Sequence, residues 1–180
     1  MKYQPLPLPI DESLAHGNDF FEHMNSRRSV RMFSPEPVPQ ELIEIAVRTA
    51  NTAPSGANQQ PWFFCATSDP ALKHRIREAA EIEERENYEG GRMPPAWRNA
   101  ISHLGTSSNK DYLDIVPWIV VCFAQKSQFL PDGTPQKNYY VNESVGLACG
   151  MFISSLHTMG LSTLTHTPNP MGFLSEIFER

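Results

Sequence analysis

The stretch NYYVNESVGLACGMFISSLHTM, Asn138 to Met159, decides how the rest of the chain must be arranged. Its apolar residues fall almost all round a helical wheel, which is the pattern of a buried helix rather than a surface one. Gly146, Ala148 and Gly150 take bulk away along it and allow neighbouring elements to approach closely. Asn142 and Glu143 keep its unbroken apolar part below the roughly 20 residues a bilayer demands. It is therefore predicted to be the central helix of a folded core.

Working outward, two short apolar runs without alternation read as strands covered on both faces: Trp62–Thr67 (WFFCAT) and Pro117–Ala124 (PWIVVCFA). A third strand is predicted over Leu161–Thr165, and a further helix from Phe173. Val38–Asn51 sets Leu42, Ile45, Ala46 and Thr49 on one helical face, with Pro39 where a first turn tolerates it. Ser68-Asp69-Pro70 supplies a cap and a first-turn proline for a polar helix reaching about Tyr88, which Gly90-Gly91 and Pro94-Pro95 end. Asp111–Val116 reads as one more helical turn, and Pro131-Asp132-Gly133 as a surface turn. Phe20–Arg27 reads as a short helix after a proline-rich stretch without periodicity. These elements give an α+β fold of one domain, residues 19–180, preceded by an extended arm over 1–18.

Composition narrows the function. With 40% apolar and 19% charged residues the 180-residue chain can bury a core. Its net charge of −5 offers no general basic field to nucleic acid or to an anionic membrane. Cys65, Cys122 and Cys149 stand far apart among apolar neighbours and read as reduced core thiols. Met1–Ile10 holds three prolines and no continuous apolar run, so neither a signal peptide nor an anchor is expected there and the cytoplasm is the expected location. There is no GxGxxG loop after a strand, no Walker A loop, no GxSxG elbow and no histidine or cysteine spacing suited to a metal.

Two motifs remain. Arg27-Arg28-Ser29-Val30-Arg31 gathers three guanidinium groups and a hydroxyl in an acidic chain, a set suited to bidentate capture of phosphate. By itself it reads more simply as cations complementing the end of a helix. Pro54-Ser55-Gly56-Ala57 opens a loop of small residues and amides leading into the first strand, equally at home as an ordinary connection. Glu84 and Tyr88 share a helical face, and Lys110 offers the opposite charge beyond a Gly/Pro-rich link, so a zwitterionic amino acid would find a partner for each end. Glu81, Glu83, Glu84 and Glu86 are also what an exposed acidic face looks like.

Taken in order, RRSVR, a helix of about 25 residues' span and PSGxxxQPW resemble the FMN-binding nitroreductase superfamily. EIEERENY, NKDYLDIVPWIVV, Asn142-Glu143 and Thr165-His166-Thr167-Pro168 narrow the resemblance to its halotyrosine-dehalogenating deiodinase branch, over residues 20–171. The resemblance implies a homodimer with a central mixed β-sheet flanked by helices. It implies FMN held by Arg27, Arg28, Ser29, Val30 and Arg31, by Pro54, Ser55 and Gly56, and by Thr165, His166 and Thr167. Thr167 would act catalytically, hydrogen-bonding near flavin N5 so that successive one-electron transfers prevail over hydride transfer. A halotyrosine or another small aromatic substrate would stack on the reduced flavin, its amine on Glu84, its carboxylate on Lys110, Tyr88 on the zwitterion and the backbone near Ala57 on the phenolate. Mono- and diiodotyrosine would yield tyrosine and halide, with electrons from NAD(P)H directly or through a reductase. His166 stands where that family usually carries a small hydroxyl residue, and its side chain is expected to be packed or solvent-facing. The family continues past the LSEIFER segment with a further strand, a basic phosphate ligand and an extension crossing to the other subunit, so that part of the fold is expected to be missing here. The same flavin site would serve a general nitro or quinone reductase, or a flavin-binding protein without turnover.

Overall fold

A computed structural model of the chain describes residues 4–180. The central helix, Val141–Thr158, buries Ser144, Ala148, Phe152 and Leu156, one residue per turn along a single stripe. The expectation of burial all round is corrected: Leu147 on another face is 51% exposed, because no described element of the chain covers that side. The stripe packs on helix Gln40–Ala50, which turns Ile43, Ala46 and Ala50 inward. The buried stripe is thus rotated from the one read in the sequence, with Leu42, Ile45 and Thr49 only half covered. Ala46, Ala50 and Ala148 are fully buried, so the two backbones lie close and leave no room for larger groups. Trp62 joins the same core, and Phe64 stacks on Phe152 at 5.4 Å between ring centroids.

Numbered along the chain, the helices are α1 (Ile10–Asn25), α2 (Gln40–Ala50), α3 (Pro70–Tyr88), α4 (Pro95–Ile101), α5 (Tyr112–Ile115), α6 (Val141–Thr158) and α7 (Gly172–Phe178). The strands are β1 (Trp62–Thr67), β2 (Ile119–Ala124), β3 (Ser127–Phe129) and β4 (Pro135–Lys137). β1 and β2 pair antiparallel from Trp62↔Ala124 to Thr67↔Ile119. β3 and β4 form a hairpin around the predicted Pro131–Gly133 turn, where Gly133 takes φ 82°. The predicted third strand shrinks to one parallel bridge, Thr163 to Ser29, with the Val30 amide donating to the Thr163 carbonyl at 3.2 Å. The mixed sheet is realised in these small pieces.

The expected extended arm is corrected from residue 10 onward, and residues 1–3 of it lie outside the described residues. Pro9 is the N-cap; none of Ile10–Asn25 is a proline, so every residue of the helix has an amide donor, and Asp11 and Glu12 favour the positive helix start. α1 buries no residue. α4, in the segment read as a Gly/Pro-rich link, begins on Pro95, a residue that suits a first turn as well as a break. The three cysteines are free thiols, each half-buried. Among the described residues no helix is long and apolar enough to cross a membrane.

One face of α3 holds the segment 109–116 residue by residue. The Asp69 carboxylate caps the helix by accepting the Ala71 amide at 2.8 Å. The buried Lys73 ammonium donates to the carbonyls of Val116 (2.7 Å) and Asp114 (3.2 Å). A turn later, Arg77 binds Asp114 at 2.8 Å, Asn109 at 3.2 Å and Asp111. Glu81 takes Arg77 Nε at 2.9 Å and the Lys110 amide at 2.8 Å. Burial pushes the Glu81 carboxyl up, but the Lys110 amide and the Arg77 guanidinium outweigh it and hold it below its ordinary value. Asp114 behaves likewise, lowered against partial burial by Arg77 and His74. The same contacts raise the Arg77 guanidinium.

Two outcomes are expected. Ala148→Leu should cost about 1–3 kcal/mol through overpacking against α2, read as a lower midpoint in urea unfolding. Depressed carboxylates stabilise above their unfolded values, 4.5 for Glu81 and 3.8 for Asp114, and lose that contribution as pH falls through the lower folded values. Urea midpoints of the wild type should therefore fall more steeply below about pH 4.5 than those of Glu81→Gln, which titrates nothing at that position.

Candidate functional site

The segment Leu161–Pro168 leaves the C-terminal end of α6 and runs beside Arg27–Val30. Between them lies a cleft of about 320 Å³ lined by Arg27, Ser29, Gly150, Ser154, Thr163 and Thr165. Its donors are one guanidinium and several hydroxyls, and Gly150 opens one wall. This set fits a phosphate and a polyol chain. A larger apolar cavity of about 540 Å³ shares Ile153, Thr163 and Thr165 with the cleft and extends past His166 and Thr167 towards Phe33 and Tyr112.

The arginines divide their work. Arg27 lines the cleft, whereas Arg28 turns Nη1 back to the carbonyls of Asn25 (2.6 Å) and Arg27 (2.8 Å), capping α1 in the way helix-end cations do. Arg31 lies within electrostatic reach of Lys110 and Tyr112, opposing the ammonium of one and favouring the phenolate of the other. Val30 contributes its backbone bond to Thr163.

Glu84, Tyr88 and Lys110 converge as their spacing suggested. Glu84 is 6% exposed and Lys110 4%, with Lys110 Nζ 3.6 Å from Glu84 Oε2. The ammonium also donates to the Ser107 carbonyl (2.5 Å) and Thr106 Oγ1 (3.3 Å), and it stands 5.2 Å from the centroid of the Tyr88 ring. Tyr88 donates its hydroxyl to Thr106 at 3.2 Å. Burial lowers the Lys110 ammonium more than Glu84 and Glu81 raise it. Burial, reinforced by Glu84, pushes the Tyr112 phenol well up. Of the four glutamates that read as an exposed acidic face, Glu86 is exposed, Glu81 and Glu83 are half-buried and Glu84 is buried.

His166 departs from expectation. Its ring is neither free in solvent nor simply packed: Nε2 lies 2.9 Å from Glu84 Oε1, and the ring meets Tyr112 edge-on at 6.0 Å. Thr165, one residue earlier, lines the cleft, so cleft and cluster adjoin along the chain. Nothing local in THTP announces this contact; it arises from α3 and segment 161–168 meeting across 82 residues.

The Pro54–Gly56 loop is anchored elsewhere, at the start of α6. The Gly56 amide donates to Ser144 Oγ at 3.2 Å, the Gln60 amide to Ser55 Oγ at 2.8 Å and the Tyr139 amide to Gln59 Oε1 at 2.8 Å. A Cβ on Gly56 would lie 2.8 Å from the Tyr139 carbonyl oxygen, so glycine is required. Ala57, Asn58 and Gln60 hold φ values of 50°, 54° and 48°, a concentration of left-handed backbone that proteins keep mostly at functional sites. No hydrogen bond joins this loop to the cleft among the described residues.

The Nitroreductase family model matches residues 24–177. The chain is 46% identical to an iodotyrosine deiodinase of Haliscomenobacter hydrossis over all of its own length and 84% of the relative's. It is 44% identical to the Danio rerio iodotyrosine deiodinase over 92% of its length, spanning only 56% of that protein. Among solved structures, an oxidised iodotyrosine deiodinase bound to FMN and 3-iodo-L-tyrosine superposes with a TM-score of 0.79 at 28% identity, covering 89% of this chain and 80% of that one. The fold also matches an FMN-dependent nitroreductase of Mycobacterium smegmatis in complex with NADPH, with a TM-score of 0.65 at 20% identity, covering 93% and 82% of the two chains. Fold, cleft and these matches agree, and the chain belongs to the nitroreductase family.

Proposed function

We propose that the chain is an FMN-dependent oxidoreductase that removes halide reductively from halotyrosines, mono- and diiodotyrosine among them, leaving tyrosine. The observation that carries the reading is the buried Glu84–Lys110 pair with Tyr88 beside it, linked through His166 to Thr165 of a cleft suited to phosphate. A general nitro or quinone reductase has no need of two buried opposite charges, which cost desolvation unless a ligand or another partner uses them. The named relatives and the FMN- and 3-iodo-L-tyrosine-bound structure support the same class.

FMN would be held by Arg27 and Ser29 at its phosphate, with Thr163 and Thr165 along the polyol chain and Thr167 near the ring. Bound and reduced, it would supply the two electrons that, with a proton, replace the carbon–halogen bond by a carbon–hydrogen bond as halide leaves. The residues of the chain do the rest. Glu84 accepts the substrate's ammonium, Lys110 its carboxylate, and Tyr88 bonds the zwitterion, so the substrate completes the cluster that excludes water from the ring. A free amide at strained Ala57 is suited to polarising a phenolate oxygen. Thr167, which lines the larger cavity, would favour single-electron steps by offering a hydrogen bond to the flavin. NAD(P)H, directly or through a reductase, is the proposed electron source.

A second copy of the chain completes the site in this reading. α1 buries nothing within its own chain while exposing Leu14, Phe20 and Phe21, and Leu147 exposes the uncovered side of α6. The Ala57 loop, unconnected to the cleft in one copy, would then meet the flavin held by the other.

Purified protein reconstituted with FMN should be yellow and, with dithionite, release iodide from 3-iodotyrosine; flavin retention without iodide release would overturn the dehalogenase assignment. Glu84→Lys or Lys110→Glu should weaken 3-iodotyrosine binding by about 2–5 kcal/mol while flavin stays bound, measured by calorimetric titration. Thr167→Ala should lower iodide release relative to nitroarene reduction in the same preparation. An equal fall in both rates would deny Thr167 a part in selecting single-electron steps.

A further inference from the structure

Glu84 has both carboxylate oxygens engaged before any ligand arrives: Oε2 faces Lys110 at 3.6 Å and Oε1 faces His166 Nε2 at 2.9 Å. A carboxylate only accepts, so Nε2 carries the hydrogen. The Lys110 ammonium is held independently, by Ser107 and Thr106, and stays in place if Glu84 changes partner. Among the described residues, the His166 ring otherwise meets the Tyr112 ring, in a T-shaped contact at 6.0 Å between centroids. The imidazole stands on the Oε1 side of Glu84, so an arriving ammonium that pairs with this carboxylate competes with it for that position.

We propose that His166 occupies the ammonium position of Glu84 in the ligand-free protein, acting as a specificity-determining residue that lowers affinity for amino-acid substrates without affecting halophenols that lack the amine. The proposal rests on the reading of Glu84 as the ammonium partner. The exchange is of one donor for another on the same oxygen. Because the imidazole bond is lost on binding, halotyrosine affinity reflects the difference between two charge-assisted bonds rather than the whole of one. The contact also joins α3 to segment 161–168 in the absence of substrate, which gives the ligand-free cluster a fixed arrangement.

The test uses FMN-loaded protein and two ligands titrated at equilibrium: 3-iodotyrosine, and 3-(4-hydroxy-3-iodophenyl)propanoate, which keeps ring and carboxylate and lacks only the ammonium. His166→Ala should tighten 3-iodotyrosine by roughly 3- to 10-fold, the scale of one net hydrogen bond, and leave the propanoate unchanged. His166→Gln, whose amide can still donate to Glu84, should stay near the wild type, and His166→Leu serves as the second donor-less variant if alanine compromises folding. Unchanged or weaker 3-iodotyrosine binding in the donor-less variants, or equal tightening of both ligands, overturns the proposal. Glu84→Gln separates the two levels. The wild type should prefer 3-iodotyrosine over the propanoate and Glu84→Gln should erase that preference. If the preference persists, the reading of Glu84 fails and takes this proposal with it; if it is erased while His166→Ala changes nothing, the proposal alone fails.

Discussion

The close contact of α6 with α2 is the constraint on which the other elements depend. Ala148 meets Ala46 and Ala50 where none of the three has exposed surface, so the interaxial distance is set by alanine-sized groups and cannot widen without opening voids. Phe152 and Leu156 continue the same stripe towards the β1–β2 pair, and Phe64 and Trp62 close the layer from the sheet side. A buried aromatic such as Phe152 is worth about 3–5 kcal/mol against alanine in a core of this kind. Both ends of α6 then have fixed positions. Its first turn offers Ser144 to the Gly56 amide, and its last residue hands the chain to the segment carrying Thr163, Thr165 and His166.

α3 imposes a second order, by polar contacts rather than packing. Lys73, Arg77, Glu81 and Glu84 follow one another up one face and each reaches the segment 109–116 or its Lys110. The first three act mainly on backbone and on partly exposed carboxylates, where individual ion pairs contribute little and a connected set contributes geometry. The fourth differs: Glu84 and Lys110 are both buried, and such a pair seldom stabilises a fold more than apolar residues of the same volume would. The network around Arg77 keeps the Lys110 backbone in register, so the ammonium meets the carboxylate in the C-terminal part of the helix.

The loop 54–60 shows where strain is kept. Three non-glycine residues with positive φ within four positions hold an unfavourable backbone, and the hydroxyls of Ser55 and Ser144 together with Gln59 fix it. The amides of Asn58, Gln59 and Gln60 are bonded within the loop and that of Gly56 to Ser144, which leaves the Ala57 amide without a partner among the described residues.

Much was legible in the sequence because it depends on neighbours along the chain. β1 appears at the residues its apolar run marked, and α3 begins at the Asp69 cap and Pro70 and ends at Tyr88, since caps, prolines and periodicity act within a turn or two. Glu84 and Tyr88 share a face for the same reason. The first part of α1 is not legible in the sequence because it follows closely on Pro5, Pro7 and Pro9 and no residue of the helix is buried to give it an apolar period. The direction of the inward stripe on α2, the bare side of α6 and the reduction of the third strand to one bridge at Thr163 were settled by which elements happened to meet. So was the difference between Arg27, which faces the cleft, and Arg28, which turns back on its own helix. His166 is the sharpest case: a histidine between two threonines carries no local sign of a carboxylate 82 residues away, and only the packing of α3 against segment 161–168 brings them to 2.9 Å. Sequence determines what each short segment can form and which charges it offers; tertiary structure decides which of those charges find one another, because burial and partnership are properties of two segments and not of one.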